Sequence, residues 1–423
     1  MTSYAKKLNE ELKNSVISSL LSDYGKRIFL PKGIIVQGAD AKGKEFNATI
    51  GIGMKNKKPM YLNSVRQYFS SDITDSELFP YSPGLGNAEL RKAWDKEEEE
   101  KNPSLQGKKH SLPAVTAGLT HALYLISRLF VNKNDTVILP DMYWENYDLI
   151  FTENTGAKME TFPMFKNNAF NTVALEETIN KLKSEKVIVL LNFPNNPTGY
   201  TPSEKEQDDI IKVLKNAAKT KKILVISDDA YYSLFFEENT AKESLFASLC
   251  DADNNIMAIK CDAATKEEMV WGFRIGFITF AHKGITDAEI DAMSQKLAGA
   301  IRGTVSNCST PAQNILLRAM KDKEYAKNKA QGVEIIKQRY FTLKEALIKY
   351  KNDTRLTPLP FNSGYFMSFK VNNEDAESLR QRLLNEYSLG TIALQGKYLR
   401  LAFSSLDNED IEEVIDRVYK ASV

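Results

Sequence analysis

Lys266 and Arg274 stand eight residues apart in Thr265-Lys266-Glu-Glu-Met-Val-Trp-Gly272-Phe-Arg274-Ile-Gly276, downstream of Asn196-Pro197-Thr198-Gly199 and Asp228-Asp-Ala-Tyr231. A primary amine can close an imine with an aldehyde. A guanidinium can grip a phosphate bidentately, which an ammonium does less well. A carboxylate beside a pyridine nitrogen keeps that nitrogen protonated and makes the ring an electron sink. An amide and a phenol can hydrogen-bond a phenolic oxygen. Trp144, in Tyr143-Trp144-Glu-Asn146-Tyr147, offers a face on which such a ring can stack. Lysine titrates near ~10.4 in water, so the amine needs burial or a cationic neighbour to become a nucleophile near neutral pH. Together these groups suit a phosphorylated pyridine aldehyde, and pyridoxal phosphate is the cofactor they call for.

Taken singly, each has a plainer reading. Asn-Pro-Thr-Gly makes a good turn, two aspartates can end a strand in solvent, Arg274 can be a surface cation and Trp144 a core residue. Lys260 is a rival for the amine, but it lies inside an apolar strand pattern and 14 residues before Arg274. What decides is convergence. Val187–Leu191, Ile223–Ile226, Ile256–Ile259 and Ile275–Phe280 are unbroken apolar, β-branched runs, the pattern of strands covered on both faces. Thr136–Leu139 reads as a short strand ending at Pro140. Residues 117–130 carry apolar side chains on one helical face. Another helix is predicted from Thr201-Pro-Ser-Glu204, read as a capping box with proline in the first turn.

Strands alternating with helices predict an α/β fold with a doubly wound, mostly parallel sheet. In such sheets ligands sit at the carboxyl ends of the strands. Asp228, Asn196 and Lys266 each follow a predicted strand, and Gly118 and Leu119 open the helix at 117–130 with amides suited to an anion. After about residue 322 the pattern changes: a long charged helix to about 350, strands at Gly364–Val371 and Tyr398–Phe403, and helices near 374–387 and from about 408. This predicts a smaller α+β domain at 321–423, a large domain at 61–320, and an N-terminal segment 1–60 that packs with the small domain or a partner subunit.

Composition narrows the function. With 423 residues and 43% apolar content there is ample core for two domains. The net charge of +1 gives no field to draw nucleic acid or anionic membrane. Three cysteines without metal-ligand spacing suit a reducing compartment. The first residues lack a signal-peptide core, and no apolar stretch reaches membrane-helix length, so the protein is expected in the cytoplasm. Gly51-Ile-Gly53 and Gly84-Leu-Gly86 lack the third glycine and setting of a dinucleotide loop.

The order and spacing of these motifs resemble the fold-type-I pyridoxal-phosphate enzymes, most closely the aspartate and aromatic aminotransferases, over about residues 48–405. The resemblance implies the seven-stranded sheet of that fold. It implies that Lys266 carries the cofactor and acts as the catalytic base and acid, that Asp228 holds the pyridinium, and that Asn196 and Tyr231 bind its phenolic oxygen. It assigns Gly118, Leu119 and Arg274 to the phosphate and Trp144 to the ring face. Ile50-Gly51-Ile52-Gly53 looks like a loop over the substrate, with Gly53 at the substrate. Arg400 matches the binder of the α-carboxylate. Tyr81, Arg302, Ser306 and Asn307 match residues at a subunit interface: Tyr81 reaches the partner's cofactor phosphate and Arg302 the side-chain carboxylate of aspartate or glutamate. A homodimer with shared active sites follows.

Two departures stand out. Where the family has a hydroxyl three residues before the lysine, this chain has Ala263, with Thr265 nearer and Thr120 able to replace the contact. Where a histidine backs the aspartate, Tyr147 stands. The implied activity is amino transfer between an aspartate-like or aromatic amino acid and a 2-oxo acid such as 2-oxoglutarate, by ping-pong kinetics. A carbon–sulfur lyase or decarboxylase could use the same residues, and an effector-binding protein could reuse the scaffold without catalysis.

Overall fold

The computed structural model describes residues 2–12, 21, 23–27, 34–69 and 73–423. Parts of the predicted N-terminal segment, residues 13–20 and 28–33, lie outside the described residues.

Seven strands form one sheet: β1 (Ala114–Thr116), β2 (Thr136–Pro140), β3 (Lys158–Phe162), β4 (Lys186–Asn192), β5 (Lys222–Asp228), β6 (Ile256–Ala263) and β7 (Gly276–His282). Their order is β1-β7-β6-β5-β4-β2-β3. The pairs β6–β5, β5–β4, β4–β2 and β2–β3 are parallel, while β7 runs antiparallel to both neighbours. The doubly wound α/β architecture is as the sequence predicts. The reversal of β7 is not in the pattern, because an apolar run specifies burial and not direction.

The apolar runs are continuous because both faces are covered. Val187, Val189 and Leu191 enter one core together with Ile223 and Val225. Ile188, Leu190, Leu224 and Ile226 enter the other. The period-two alternation of a strand thus feeds two cores from one run. β6 continues four residues beyond the predicted Ile259, through Lys260 and Asp262. Both are buried, and Lys260 Nζ lies 2.5 Å from Asp262 Oδ2, so compensation hides the strand from a hydropathy reading.

The helix Leu119–Phe130 follows β1, and Glu204–Ala218 follows β4. The cap of the latter differs from the prediction: Ser203 and Glu206 form the capping box. Thr201 is taken by tertiary contacts, its amide donating to Asn362 Oδ1 at 2.8 Å and its hydroxyl lying 2.7 Å from Ser363 Oγ.

A second sheet is antiparallel throughout: β8 (Leu356–Pro358), β9 (Phe366–Val371), β10 (Ile392–Leu394) and β11 (Tyr398–Ala402), in the order β8-β9-β11-β10. Around it pack the long helix Tyr325–Ile348 and the helices Ala376–Glu386 and Ile411–Ala421. Phe46–Asn47 pairs in parallel with Leu389–Gly390, and Ala402 donates to the Ala48 carbonyl at 2.8 Å. These bonds lead the chain from 46 onward along the second sheet to the ends of the first.

Candidate active site

At the carboxyl ends of β4, β5 and β6 lies a cavity of about 290 Å³. Lys266, Asp228, Tyr231, Asn196, Arg274, Arg400, Trp144 and Leu119 all line it, as do Thr120 and Thr265. Residues as far apart in sequence as Gly51 and Arg400 are thereby brought to one place.

Asp228 ends β5 and is 1% exposed. Tyr147 donates its hydroxyl to Asp228 Oδ2 at 2.6 Å, Asn192 its amide to Oδ1 at 3.2 Å, and the Ala230 N–H to Oδ1 at 3.1 Å. Burial still dominates and pushes the carboxyl up to about 6. All three hydrogen-bond donors are neutral. A cationic partner for this carboxylate is what a pyridinium nitrogen would supply.

That raised carboxyl has a consequence for stability. Its pKa exceeds the ordinary 3.8, so between pH 3.8 and about 6 the folded chain keeps a proton that the unfolded chain has lost. The contribution of Asp228 to stability is therefore fully present below pH 3.8 and lost as pH rises through about 6. In cofactor-free protein at pH 7, Asp228→Asn is expected to raise stability by up to about 3 kcal/mol. The gain shrinks toward pH 4. Thermal melts at both pH values check this, and an unchanged melting temperature at pH 7 would contradict it.

Lys266 sits in the single helical turn Ala264–Glu267 directly after β6. Burial, with help from Arg274, lowers its ammonium to about 8 against the pull of Asp228. Its Nζ lies 4.9 Å from the centroid of the Tyr231 ring. Lys260, the rival amine, is 2% exposed and turned into a separate ion-pair cluster.

One end of the cavity is set by the close approach of Gly118 to the Arg274 side chain. Gly118 caps the helix Leu119–Phe130 with φ of 85°. A Cβ there would meet Arg274 Nη2 at 2.4 Å. The positive φ calls for glycine, and a side chain there would push the Arg274 guanidinium aside. Arg274, itself at φ 55°, donates from Nη1 to the Trp271 carbonyl at 3.1 Å. With Arg274, the amides of this helix N-terminus make a place suited to an anion. Ala263 closes β6 and brings no hydroxyl, whereas Thr120 and Thr265 both reach the cavity wall.

At the opposite end Arg400 is 2% exposed. It donates to Asn196 Oδ1 at 3.0 Å and to the Thr49 carbonyl at 2.8 Å, and stacks over Phe366 at 4.3 Å. Its Nε is buried with no partner among the described residues. Burial lowers the guanidinium to about 10, opposed by Tyr231 and Glu145. A buried, incompletely satisfied cation suits an anionic ligand. Of the loop 50–53, Gly51 lines the cavity, while Gly53 packs toward Met60, Trp271 and Ile336.

Tyr81, Arg302, Ser306 and Asn307 do not line the cavity of their own chain. Tyr81 is 90% exposed. Arg302 is exposed and donates to Ser306 Oγ at 2.6 Å. They share one surface, since Thr310 Oγ1 donates to the Pro80 carbonyl at 2.7 Å and Gln313 to Ser82 Oγ at 3.0 Å. His121, on the helix whose start lines the cavity, lies 2.9 Å from Thr304 Oγ1.

The sequence reading missed Asn192, Phe366 and Trp271. Asn192 carried a signal, a polar residue closing an apolar strand. Phe366 carried none, because nothing local distinguishes it from core.

The fold and this set of donors define a pyridoxal-phosphate enzyme of the transferase type. The aminotransferase class I and II family matches residues 56–418, and the chain belongs to it. Among its relatives, the probable aspartate/prephenate aminotransferase of Aquifex aeolicus is 28% identical over 354 residues, 81% of this chain and 83% of that one. The aromatic-amino-acid aminotransferase 2 of Thermococcus litoralis is 21% identical over 90% of this chain and 92% of its own. An aminotransferase from Anaerococcus prevotii superposes with a TM-score of 0.83 at 25% identity, over 94% of this chain and 98% of that one. The protein is a pyridoxal-phosphate-dependent aminotransferase.

Proposed function

We propose that the protein moves an amino group between an aspartate-like or aromatic amino acid and a 2-oxo acid such as 2-oxoglutarate, as a cytoplasmic homodimer with shared active sites. The observation that carries this reading is the gathering of Lys266, Asp228, Arg274 and Arg400 around one cavity. The three free, buried cysteines agree with a reducing compartment. Among the described residues no helix is long and apolar enough to cross a membrane. We read the chain as an N-terminal segment 1–60, a large cofactor-binding domain 61–320 and a small domain 321–423.

The residues divide the work. Arg274, the Gly118 and Leu119 amides and Thr120 hold the cofactor phosphate. Trp144 covers the ring face, and Tyr231 and the amide of Asn196 hold its phenolic oxygen. Asp228, kept in place by Tyr147 and Asn192, keeps the pyridinium proton. When bound, the cofactor would supply an aldehyde for the substrate amine and an electron sink for the α-carbon. Arg400 would fix the substrate α-carboxylate and so orient the α-carbon toward Lys266. Lys266 Nζ would take the substrate's α-proton and return it on the other side of the transfer, as general base and then acid. Its lowered pKa makes a fraction of it neutral near pH 7. Gly51 keeps this part of the wall free of a side chain.

Support for the dimer comes from the surface that bears Tyr81 and Arg302. Phe79 is 78% and Tyr81 90% exposed, and Val305 is 41% exposed. Large apolar side chains left open to solvent suit an interface. A partner's Arg302 would bring the charge that dicarboxylates need. The cavity's own aromatics, Trp144, Tyr231, Phe366 and Trp271, would suit an aromatic substrate. A panel of amino acids, each with 2-oxoglutarate, scored for glutamate formation, tests the reading. Aspartate and the aromatic amino acids are expected to lead. Turnover of an amino acid without any oxo acid would move the assignment to a lyase or decarboxylase.

A further inference from the structure

A dense set of buried charges lies outside the lining of the active-site cavity. Behind it, Asp229, Asp262, Glu97, Glu98, Glu267 and Glu268 surround Lys101, Lys260 and Lys329. Lys260 Nζ stands 2.9 Å from Glu98, 3.3 Å from Asp229 and 2.5 Å from Asp262. Lys101 Nζ lies 2.6 Å from Glu267, 3.0 Å from Glu97 and 3.6 Å from Glu98, so Glu98 joins two halves. Lys329 Nζ lies 2.5 Å from Glu97, 2.8 Å from Glu267 and 2.9 Å from Glu268. The ammonium has three hydrogens and three carboxylates to take them. Glu97, Glu267 and Glu268 are grouped closely enough to bind a metal, but Lys329 already lies within hydrogen-bonding distance of all three.

The cluster meets the reactive residues through their chain neighbours. Asp229 follows Asp228, and Glu267 and Glu268 follow Lys266. A helical turn rotates successive side chains by about 100°, so the two glutamates point away from the lysine they follow. Beyond that turn regular structure is thin. Met269 is left-handed at φ 55°, and a short turn at Trp271–Phe273 leads to the left-handed Arg274. The segment has few backbone bonds of its own: Glu268 N donates to the Ala264 carbonyl at 3.2 Å, Met269 N to the Lys266 carbonyl at 3.3 Å and Phe273 N to the Val270 carbonyl at 2.9 Å. Side chains add to these. Tyr365 donates to the Lys266 carbonyl at 3.2 Å, and Tyr325 donates to Glu268 at 2.9 Å.

We propose that Lys329 is a positioning residue for the Lys266 amine, gripping the two glutamates that follow it and tying them to the helices Tyr325–Ile348 and Ala88–Lys101. The inference rests on the reading of Lys266 as the reacting amine. Glu268 is completely buried, and its second oxygen has no partner among the described residues. Burial pushes its carboxyl up to about 8 against the pull of Lys329. The excess of carboxyls over ammoniums is thus carried partly as protons, and the arrangement of the turn depends on the one cation shared by both glutamates.

The test uses the full-length protein and three variants: Lys329→Met, Lys329→Arg, and Lys329→Met combined with Glu268→Gln. Borohydride trapping in the parent first checks that position 266 carries the cofactor. An unlabelled 266 there would sink the reading of the site and not this inference alone. With 266 labelled, Lys329→Met is expected to lower kcat about 100-fold with little change in KM for the amino donor, the pattern of a displaced reacting group. In cofactor-free protein, hydrogen exchange of the 264–275 peptide should rise while that of β5 stays put. Lys329→Arg should recover most of kcat. The double variant removes a carboxyl that the lost cation leaves unpaired, and guards against failure to fold. It should keep the low kcat and the fast exchange. A folded Lys329→Met or double variant with parental kcat and unchanged exchange at 264–275 would overturn the proposal. So would full recovery of kcat in the double variant, which would make Lys329 a counter-charge and nothing more.

Discussion

Lys266→Ala abolishes turnover, with a fall in kcat of about 10⁴-fold or more, the upper range for losing a positioned proton-transfer group. The reason is that nothing else can take its place. Lys260, the other lysine near the site, is held by Glu98, Asp229 and Asp262 behind the cavity. Tyr231 lies beside Lys266, but burial raises its phenol, so it gives up no proton near neutral pH. Cofactor should still bind to the variant, because Arg274, Asp228 and Trp144 are untouched. Retention of cofactor with loss of turnover is the expected pair of results. Turnover near the parental rate would remove Lys266 from the mechanism.

The second large effect separates two arginines. Arg400→Ala removes the buried guanidinium from the cavity wall, and every amino acid should lose roughly 2–5 kcal/mol, the range for leaving one member of a buried charge pair alone. That corresponds to about 30- to several-thousand-fold in kcat/KM. Arg302→Ala should cost dicarboxylates a similar amount and leave neutral amino acids nearly unchanged, since Arg302 lies outside the cavity of its own chain. Measuring kcat/KM for aspartate and for one aromatic amino acid in both variants decides this. Equal losses for the two substrates in Arg302→Ala would refute its role in recognising the side chain.

The architecture was readable because burial on both faces writes itself into the sequence. Val187–Leu191 and Ile223–Ile226 have no polar break, since each alternate residue enters a different core. The cavity residues were readable for a different reason. Asp228 closes a strand, and Lys266 and Asn196 stand just past strand ends, where a doubly wound sheet puts its ligands. Direction was not readable, and β7 runs against its neighbours with the same kind of apolar run as they have. The full length of β6 was hidden because Lys260 and Asp262 look like solvent residues until their ion pair is seen. Phe366 comes to Arg400 only through the pairing of β9 with β11, a contact between distant segments that no local pattern encodes. The buried cluster around Lys329 was likewise invisible. The run Lys96-Glu-Glu-Glu-Glu-Lys101 reads as a solvated helix face, yet Glu97, Glu98 and Lys101 turn inward to partners far along the chain.

The most direct measurement is chemical. Protein saturated with pyridoxal phosphate is reduced with borohydride, digested, and its peptides are weighed. The cofactor's mass is expected on the side-chain nitrogen of Lys266 and on no other lysine. A labelled Lys260, or a peptide spanning 266 that carries no added mass, would contradict the account.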